Sequence, residues 1–311
     1  METWRGIDAT PDGWPASVVA IGVFDGVHRG HAALIRTAVK AAAERDARCV
    51  VVTFDPHPTA VVAPNAVPPQ LTSVERRVEL LGALGVDGVC VLPFTKELSQ
   101  RSPEEFVRGV LVDRLHAVGV VVGENFRFGH KAAGDVKHLA ELGADLGFEV
   151  LAQGLSADIE AFSSTRVRAS LAQGDVEGAS AILGRDFGVE GTVVHGHARG
   201  ADLGFPTANL RPLPGFAIPS DGIYTGWFHM DSRRLPAAIS IGTNPTFGDE
   251  ERSVEAFLLD FSGNLYDAEV RLDFVSRLRG QIAFGDVDDL VKQIETDVAQ
   301  TRAALGLDRG R

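Results

Sequence analysis

The chain has 311 residues, a hydrophobic fraction of 45% and a net charge of −12. This length suits roughly two domains, each with its own core, and the apolar content excludes a disordered chain. There is no run of about 18 apolar residues and no basic-then-apolar leader, so the expected compartment is the cytoplasm; the acidic balance, with no sustained Lys/Arg run, speaks against nucleic acid and membrane as partners.

Residues 1–17, with Pro11, Gly13 and Pro15 and little periodicity, read as a lead-in. Residues 18–23 are a short apolar, β-branched run and 32–47 has helical spacing, with GVFDGVHRGH (22–31) between them. That is a strand, a loop and a helix. Gly22, Gly26 and Gly30 let backbone approach a ligand closely, and the helix start offers unpaired N–H groups and a positive dipole end to phosphate. His28 and His31 are three apart, so their rings point to one side and can grip one phosphate chain, with positive charge available near neutral pH. Zinc has little support, because this HxxH lacks the Glu of HExxH and any nearby Cys. A structural pair of turn histidines is the other reading of these two residues taken alone.

Residues 48–54 (RCVVVTF) are a strand suited to the inside of a parallel sheet, ending in Asp55-Pro56-His57-Pro58. Ligands of open α/β sheets bind at the carboxyl ends of strands, so Asp55 and His57 are expected beside the His28/His31 loop; a turn role for Asp55 fits equally well. Residues 73–84 form an amphipathic surface helix, 88–92 a strand, 102–116 a helix with Pro103 near its start, and 118–122 another buried strand. This alternation implies a doubly wound parallel sheet. Cys49 and Cys90 lie in or beside its apolar strands and read as buried free thiols.

The run 118–122 leads into GENFRFGHK (123–131). Asn125 offers an amide for a base or phosphate, Arg127, His130 and Lys131 gather positive charge, and Phe126 and Phe128 are either faces for a flat ring or an ordinary core pair. A short strand at 148–151 precedes FSSTRVR (162–168). Ser163, Ser164 and Thr165 are either helix caps or, with Arg168 one turn further on, a pyrophosphate clamp. A helix over 175–183 ends at Gly184-Arg185-Asp186, the expected linker.

Beyond it, strand-like runs at 188–194, 222–229, 236–242, 253–261 and 266–275 follow one another without helices, which suggests an antiparallel barrel, closed by a helix over 287–305. GHARGADLGFPTAN (196–209) is a glycine-rich loop in which Thr207 and Asn209 share one side as neutral hard ligands for Mg²⁺; a plain turn is the alternative. No GxxxxGK[ST] loop is present. In SVEAFLLDF, alternation gives Glu255 the same face as Phe257 and Leu259, so it is either a desolvated inward carboxylate fit to act as a base or a solvated one at the barrel's edge.

GVFDGVHRGH, TFDPHP, GENFRFG and SSTRVR, followed by LGFPTANL, DGIYTGW, GTNPTFG, SVEAFLLDF and LYDAEVRLDFVSRLR, together resemble the bacterial bifunctional riboflavin kinase/FAD synthetase family along nearly the whole chain. The resemblance implies an FMN adenylyltransferase domain over 1–184, a riboflavin kinase barrel over 187–311, and ATP, riboflavin and FMN as small-molecule partners with Mg²⁺ as cofactor. It gives His28, His31, Asn125, Ser164, Thr165 and Arg168 nucleotide and pyrophosphate roles, places Gly22, Phe24, Asp25, Gly26, His57 and Phe128 in the same nucleotide site, and assigns Gly204, Pro206, Thr207 and Asn209 to MgATP and Glu255 to the ribityl hydroxyl proton. Ala161 and Ala201 stand where similar sequences are often basic, and Arg166 is a substitute for the first. The rival readings are an adenylyltransferase for another mononucleotide with a regulatory riboflavin-binding barrel, and a flavin carrier without turnover. Oligomeric state, transient self-association included, is left open by the sequence.

Overall fold

The structure is a computed structural model and describes residues 1–154, 162–196, 200, 203–242 and 252–307. Packing divides the chain into two units, Met1–Pro68 with Thr72–Ser163, and Pro69–Leu71 with Ser164–Arg311.

The first unit is a six-stranded parallel sheet of β1 (Glu2–Arg5), β2 (Ser17–Ile21), β3 (Arg48–Asp55), β4 (Gly88–Pro93), β5 (Ala117–Gly123) and β6 (Glu149–Gln153), in the order β1-β4-β3-β2-β5-β6. Strand alternation divides the apolar runs between two cores. Val19, Ile21, Val50 and Val52 face one that includes Phe106, Val110 and Leu139, while Val18, Ala20, Val51 and Val89 face the other, with Ile35, Ala38 and Leu81. Burial on both faces explains why these strands read as continuous apolar runs. It also pushes the Cys49 and Cys90 thiols up to about 12.

The expected lead-in is instead β1, whose Trp4 packs edge-on against Trp14 at 4.6 Å in the core. Four residues with a single buried side chain are too short to show a period. The helix Val136–Leu146, capped by Asp135 and ended by left-handed Gly147, also lay outside the sequence reading. The expected helix over 102–116 begins with a capping box, Ser102 Oγ accepting from Glu105 N–H (3.1 Å) and Glu105 Oε2 from Ser102 N–H (2.7 Å), and runs as Pro103–Phe106 and a π-helical Val107–Val112.

The second unit contains a closed antiparallel barrel, in the order β10-β11-β8-β7-β12-β9, from β7 (Phe187–Val194), β8 (Thr207–Pro212), β9 (Gly222–Met230), β10 (Arg233–Gly242), β11 (Ser253–Leu258) and β12 (Glu269–Arg279). Its interior is filled by alternate residues such as Val189, Val193, Ile239, Val254, Ala256 and Leu272. β8 was expected as loop; it pairs with both β7 and β11. The helices Ser164–Gln173 and Val176–Leu183 belong to this unit by packing. Arg277 ties them to it, donating to Gln173 O (3.2 Å) and Asp221 O (2.8 Å) while its N–H reaches Glu177 (3.3 Å). The packing boundary therefore precedes the motif boundary expected at 184–187.

The closing helix Val287–Ala304 is held by a buried bidentate pair, Arg279 Nε and Nη2 on the two carboxylate oxygens of Asp297 (3.0 and 2.6 Å), with Gln293 also donating to Asp297. Removing one member leaves a buried charge unpaired, so Asp297→Ala is expected to lower unfolding free energy by about 3 kcal/mol. Urea denaturation checks this, and a loss below about 1 kcal/mol would show the pair to be energetically ordinary.

Candidate active sites

In the first unit, strand order reverses between β2 and β5, the place in an open α/β sheet where ligands bind at the carboxyl ends of the strands. The β2 loop holds GVFDGVHRGH and the β5 loop holds Asn125, which is exposed. His28 is the N-cap of helix Arg29–Glu44: its Nδ1 accepts the His31 backbone N–H at 3.2 Å, and the two rings stack with centroids 3.5 Å apart. Burial, then the neighbouring His28 and Arg77 charges, hold His31 well below the usual histidine range. His31 is thus neutral at pH 7, a correction to its expected positive charge. Among the described residues its buried Nδ1 has no hydrogen-bond partner.

The loop glycines have steric roles of their own. Gly22 leaves room for the Phe24 ring, Gly26 sits at φ +80°, and a Cβ on Gly30 would stand 3.2 Å from the His28 ring. Two non-glycine loop residues also have left-handed backbone, Phe24 at φ 50° and Val27 at φ 39°. Asp25 is buried and accepts from Thr72 N–H (3.2 Å) and Thr72 Oγ1 (3.4 Å), and Gly26 N–H donates to Thr72 Oγ1 (3.1 Å). His57 caps the short helix Pro58–Val62 through Thr59 N–H. Phe128, expected beside the nucleotide, is a packing residue: it is buried, stacked on Phe126 at 5.5 Å, with Phe106 and His138 also against it. The core-pair reading of these two rings is the one the fold realises.

In the second unit, Ser164 opens helix Ser164–Gln173 with Thr165 exposed beside it, and Arg168 Nε donates to Pro69 O at 2.6 Å. On the barrel, register places Glu255 opposite Asn209 and Phe257 opposite Thr207. Thr207 Oγ1 donates to Glu255 Oε2 (3.0 Å) and Ser253 Oγ to Glu255 Oε1 (2.9 Å). Val254, Ala256 and Leu258 turn into the barrel core, so the half-buried Glu255 lies on the opposite, outward face. The expected inward, desolvated carboxylate is corrected to one held by two hydroxyl donors. Gly196 abuts the Asn209 amide, where a Cβ would lie 2.3 Å from Cγ, and Gly204 turns the chain at φ +85° shortly before Pro206 leads into β8. The hydroxyl, amide and carboxylate oxygens of Thr207, Asn209 and Glu255 are a hard donor set that fits Mg²⁺.

Two family models match the chain, FAD synthetase over residues 11–166 and riboflavin kinase over 183–305. A bifunctional riboflavin kinase/FMN adenylyltransferase from Listeria monocytogenes is 37% identical over 94% of this chain and 95% of its own length, and one from Pseudomonas fluorescens is 37% identical over 97% of each. The chain belongs to the bifunctional riboflavin kinase/FMN adenylyltransferase family. The solved structure of a macrolide-efflux protein from Streptococcus pneumoniae is also similar, with a TM-score of 0.85 and 29% identity over 96% of this chain and 98% of that one. No helix among the described residues here is long and apolar enough to cross a membrane.

Ser253, which donates to Glu255, and Thr53, Thr72 and Arg77, which lie against the β2 loop, were not singled out in the sequence. Ser253 was legible as a residue two before Glu255, hence on its face. Ala161, Arg199, Ala201 and most of GTNPTFG lie outside the described residues.

The neutral His31 has a consequence for stability. Its folded pKa is depressed, so below about pH 6.5 the unfolded chain takes up a proton that the folded ring refuses, and stability falls as pH drops. Urea unfolding between pH 7.5 and 5.5 is expected to show this loss, at most about 1.4 kcal/mol per pH unit from one group. In His31→Asn the slope should flatten, and an unchanged slope would assign the pH dependence elsewhere.

Proposed function

We propose that the chain makes FMN and then FAD, with the kinase chemistry on the barrel and the adenylyl transfer on residues 1–184. The observation that carries this reading is that each family match coincides with its own polar cluster, imidazoles at the sheet's switch point and oxygen ligands on one barrel face. The functional division proposed, 1–184 and 187–311, follows the grouping of motifs rather than the packing boundary.

On the barrel, the terminal ribityl hydroxyl of riboflavin attacks the γ-phosphorus of ATP, the bond to the β-phosphate oxygen breaks, and ADP leaves. Glu255 accepts the hydroxyl proton, with Ser253 and Thr207 fixing the direction of its two oxygens. Thr207 and Asn209 would hold Mg²⁺, which supplies charge neutralisation to the phosphates when bound. The turn at Gly204 and Pro206 aims this pair, and Gly196 lets the loop close onto Asn209.

In adenylyl transfer, an oxygen of the FMN phosphate attacks the α-phosphorus of a second ATP, and pyrophosphate leaves. The nucleophile is already anionic, so no protein base is needed. His28 and His31 orient the triphosphate and donate to the developing charge, with the positive end of the helix dipole beside them. Asn125 is assigned to nucleotide recognition. Ser164, Thr165 and Arg168 are assigned to pyrophosphate on the family resemblance. ATP as co-substrate supports the cytoplasm as the compartment.

Purified chain incubated with riboflavin, ATP and Mg²⁺ is expected to yield FMN first and FAD later by chromatography. Glu255→Gln should cut FMN formation by on the order of a hundredfold while FMN is still converted to FAD. His28→Asn should do the reverse. A folded variant that loses both activities would overturn the division into two sites.

A further inference from the structure

Buried polar groups are concentrated beneath the His28/His31 loop. Asp25, His28, Thr53, Thr72, Ser73 and Arg77 are six of the eleven buried polar or charged residues among the described residues. Arg77, on helix Val74–Gly82, is only 1% exposed, although the sequence reading put the charges of this helix on its solvent face. Its Nη1 donates to Phe54 O (3.0 Å) and Thr53 Oγ1 (3.2 Å), and Thr53 Oγ1 in turn donates to Val23 O (2.9 Å). The guanidinium thus joins the carboxyl end of β3 to the first residues of the β2 loop. Asp25, Asp55 and Glu75 lie within its electrostatic reach, and Asp25 closes the other side of the loop through Thr72.

A purely structural account of Arg77 is weak. Burying a guanidinium is costly, and among the described residues its Nε–H has no hydrogen-bond partner. An apolar side chain of similar volume would fill the same space without that cost. What a cation adds at this place is a fixed charge beneath a strained loop and close enough to act on His31. Phe24 and Val27 keep left-handed backbone only if the surrounding contacts over-determine it.

We infer that Arg77 is a positioning residue for adenylyl transfer, holding the β2 loop that carries His28 and His31 to the carboxyl end of β3. The inference rests on the proposed phosphate role of His28 and His31. The charged groups acting on His31 are Arg77 and, when protonated, His28; Asp25, Asp55 and Glu75 act on Arg77. Burial is the largest influence lowering His31, with His28 and then Arg77 adding to it; removing the Arg77 cation raises the pH at which His31 titrates by that last contribution, and a protonated His31 would bind ATP and product pyrophosphate alike more tightly.

The test uses the full chain, ring-labelled at histidine and followed by NMR titration, alongside separate assays of FMN adenylylation and riboflavin phosphorylation. In Arg77→Met the His31 midpoint should rise and kcat for FMN adenylylation should fall by on the order of tenfold or more, with riboflavin phosphorylation unchanged. Arg77→Lys should restore the low midpoint and most of the rate. If Arg77→Met does not fold, Arg77→Gln, which keeps a donor for Phe54 O but no charge, takes its place with the same expectation. A folded, destabilised variant with unchanged His31 titration and unchanged kcat would make Arg77 structural only, as would failure of Lys to restore either quantity. His31→Asn is the control for the underlying reading: if it leaves FMN adenylylation intact, the phosphate role of the histidines fails, whatever Arg77 does.

Discussion

A β-branched residue does not remain at φ 39° unaided, and the N-terminal unit is arranged around the loop that holds Val27 there. The loop leaves β2 where strand order reverses, turns through Phe24, Gly26 and Val27, and delivers His28 as the cap of the next helix. Each turn is fixed from behind. Phe24 and Val27 are buried in the core, Asp25 and Gly26 are bonded to Thr72, and Val23 is tied to β3 through Thr53. The two imidazoles stack on one another, so folding itself fixes their mutual orientation.

The barrel solves the analogous problem with strand register. Glu255, Asn209 and Thr207 come together because β8 and β11 pair directly, and the two-residue period keeps their side chains on one face. The same period sends Val254, Ala256 and Leu258 into the core. A one-residue slip would exchange the two sets, so the hydrophobic interior and the polar outer face fix each other's register.

Much of this was legible in the sequence, and most of the failures share one cause. Apolar runs such as VVVTF and AVGVVVG announce buried parallel strands, and the histidines, PTAN and Glu255 stand out as chemistry within glycine-rich or alternating stretches. What could not be read was direction. Arg77 looks like any charged residue of SVERRVELL, because only tertiary packing turns it inward and not its neighbour Arg76, which pairs with Glu79. Phe128 carries no mark that separates a core ring from a binding platform, and Glu255 could be placed on a face but not on which side of the barrel that face lies. β1 was invisible because an edge strand of four residues draws its identity from β4.

Cys49 and Cys90, one in each of two central strands, have thiols that titrate near 12. At neutral pH on the order of one such thiol in ten thousand or fewer is ionised, and neither reaches solvent. The native protein therefore behaves towards alkylating dyes as if it contained no cysteine. A single thiol introduced on an exposed loop of either unit would carry the whole label, so fluorescent reporters can be attached without first stripping two residues from the core.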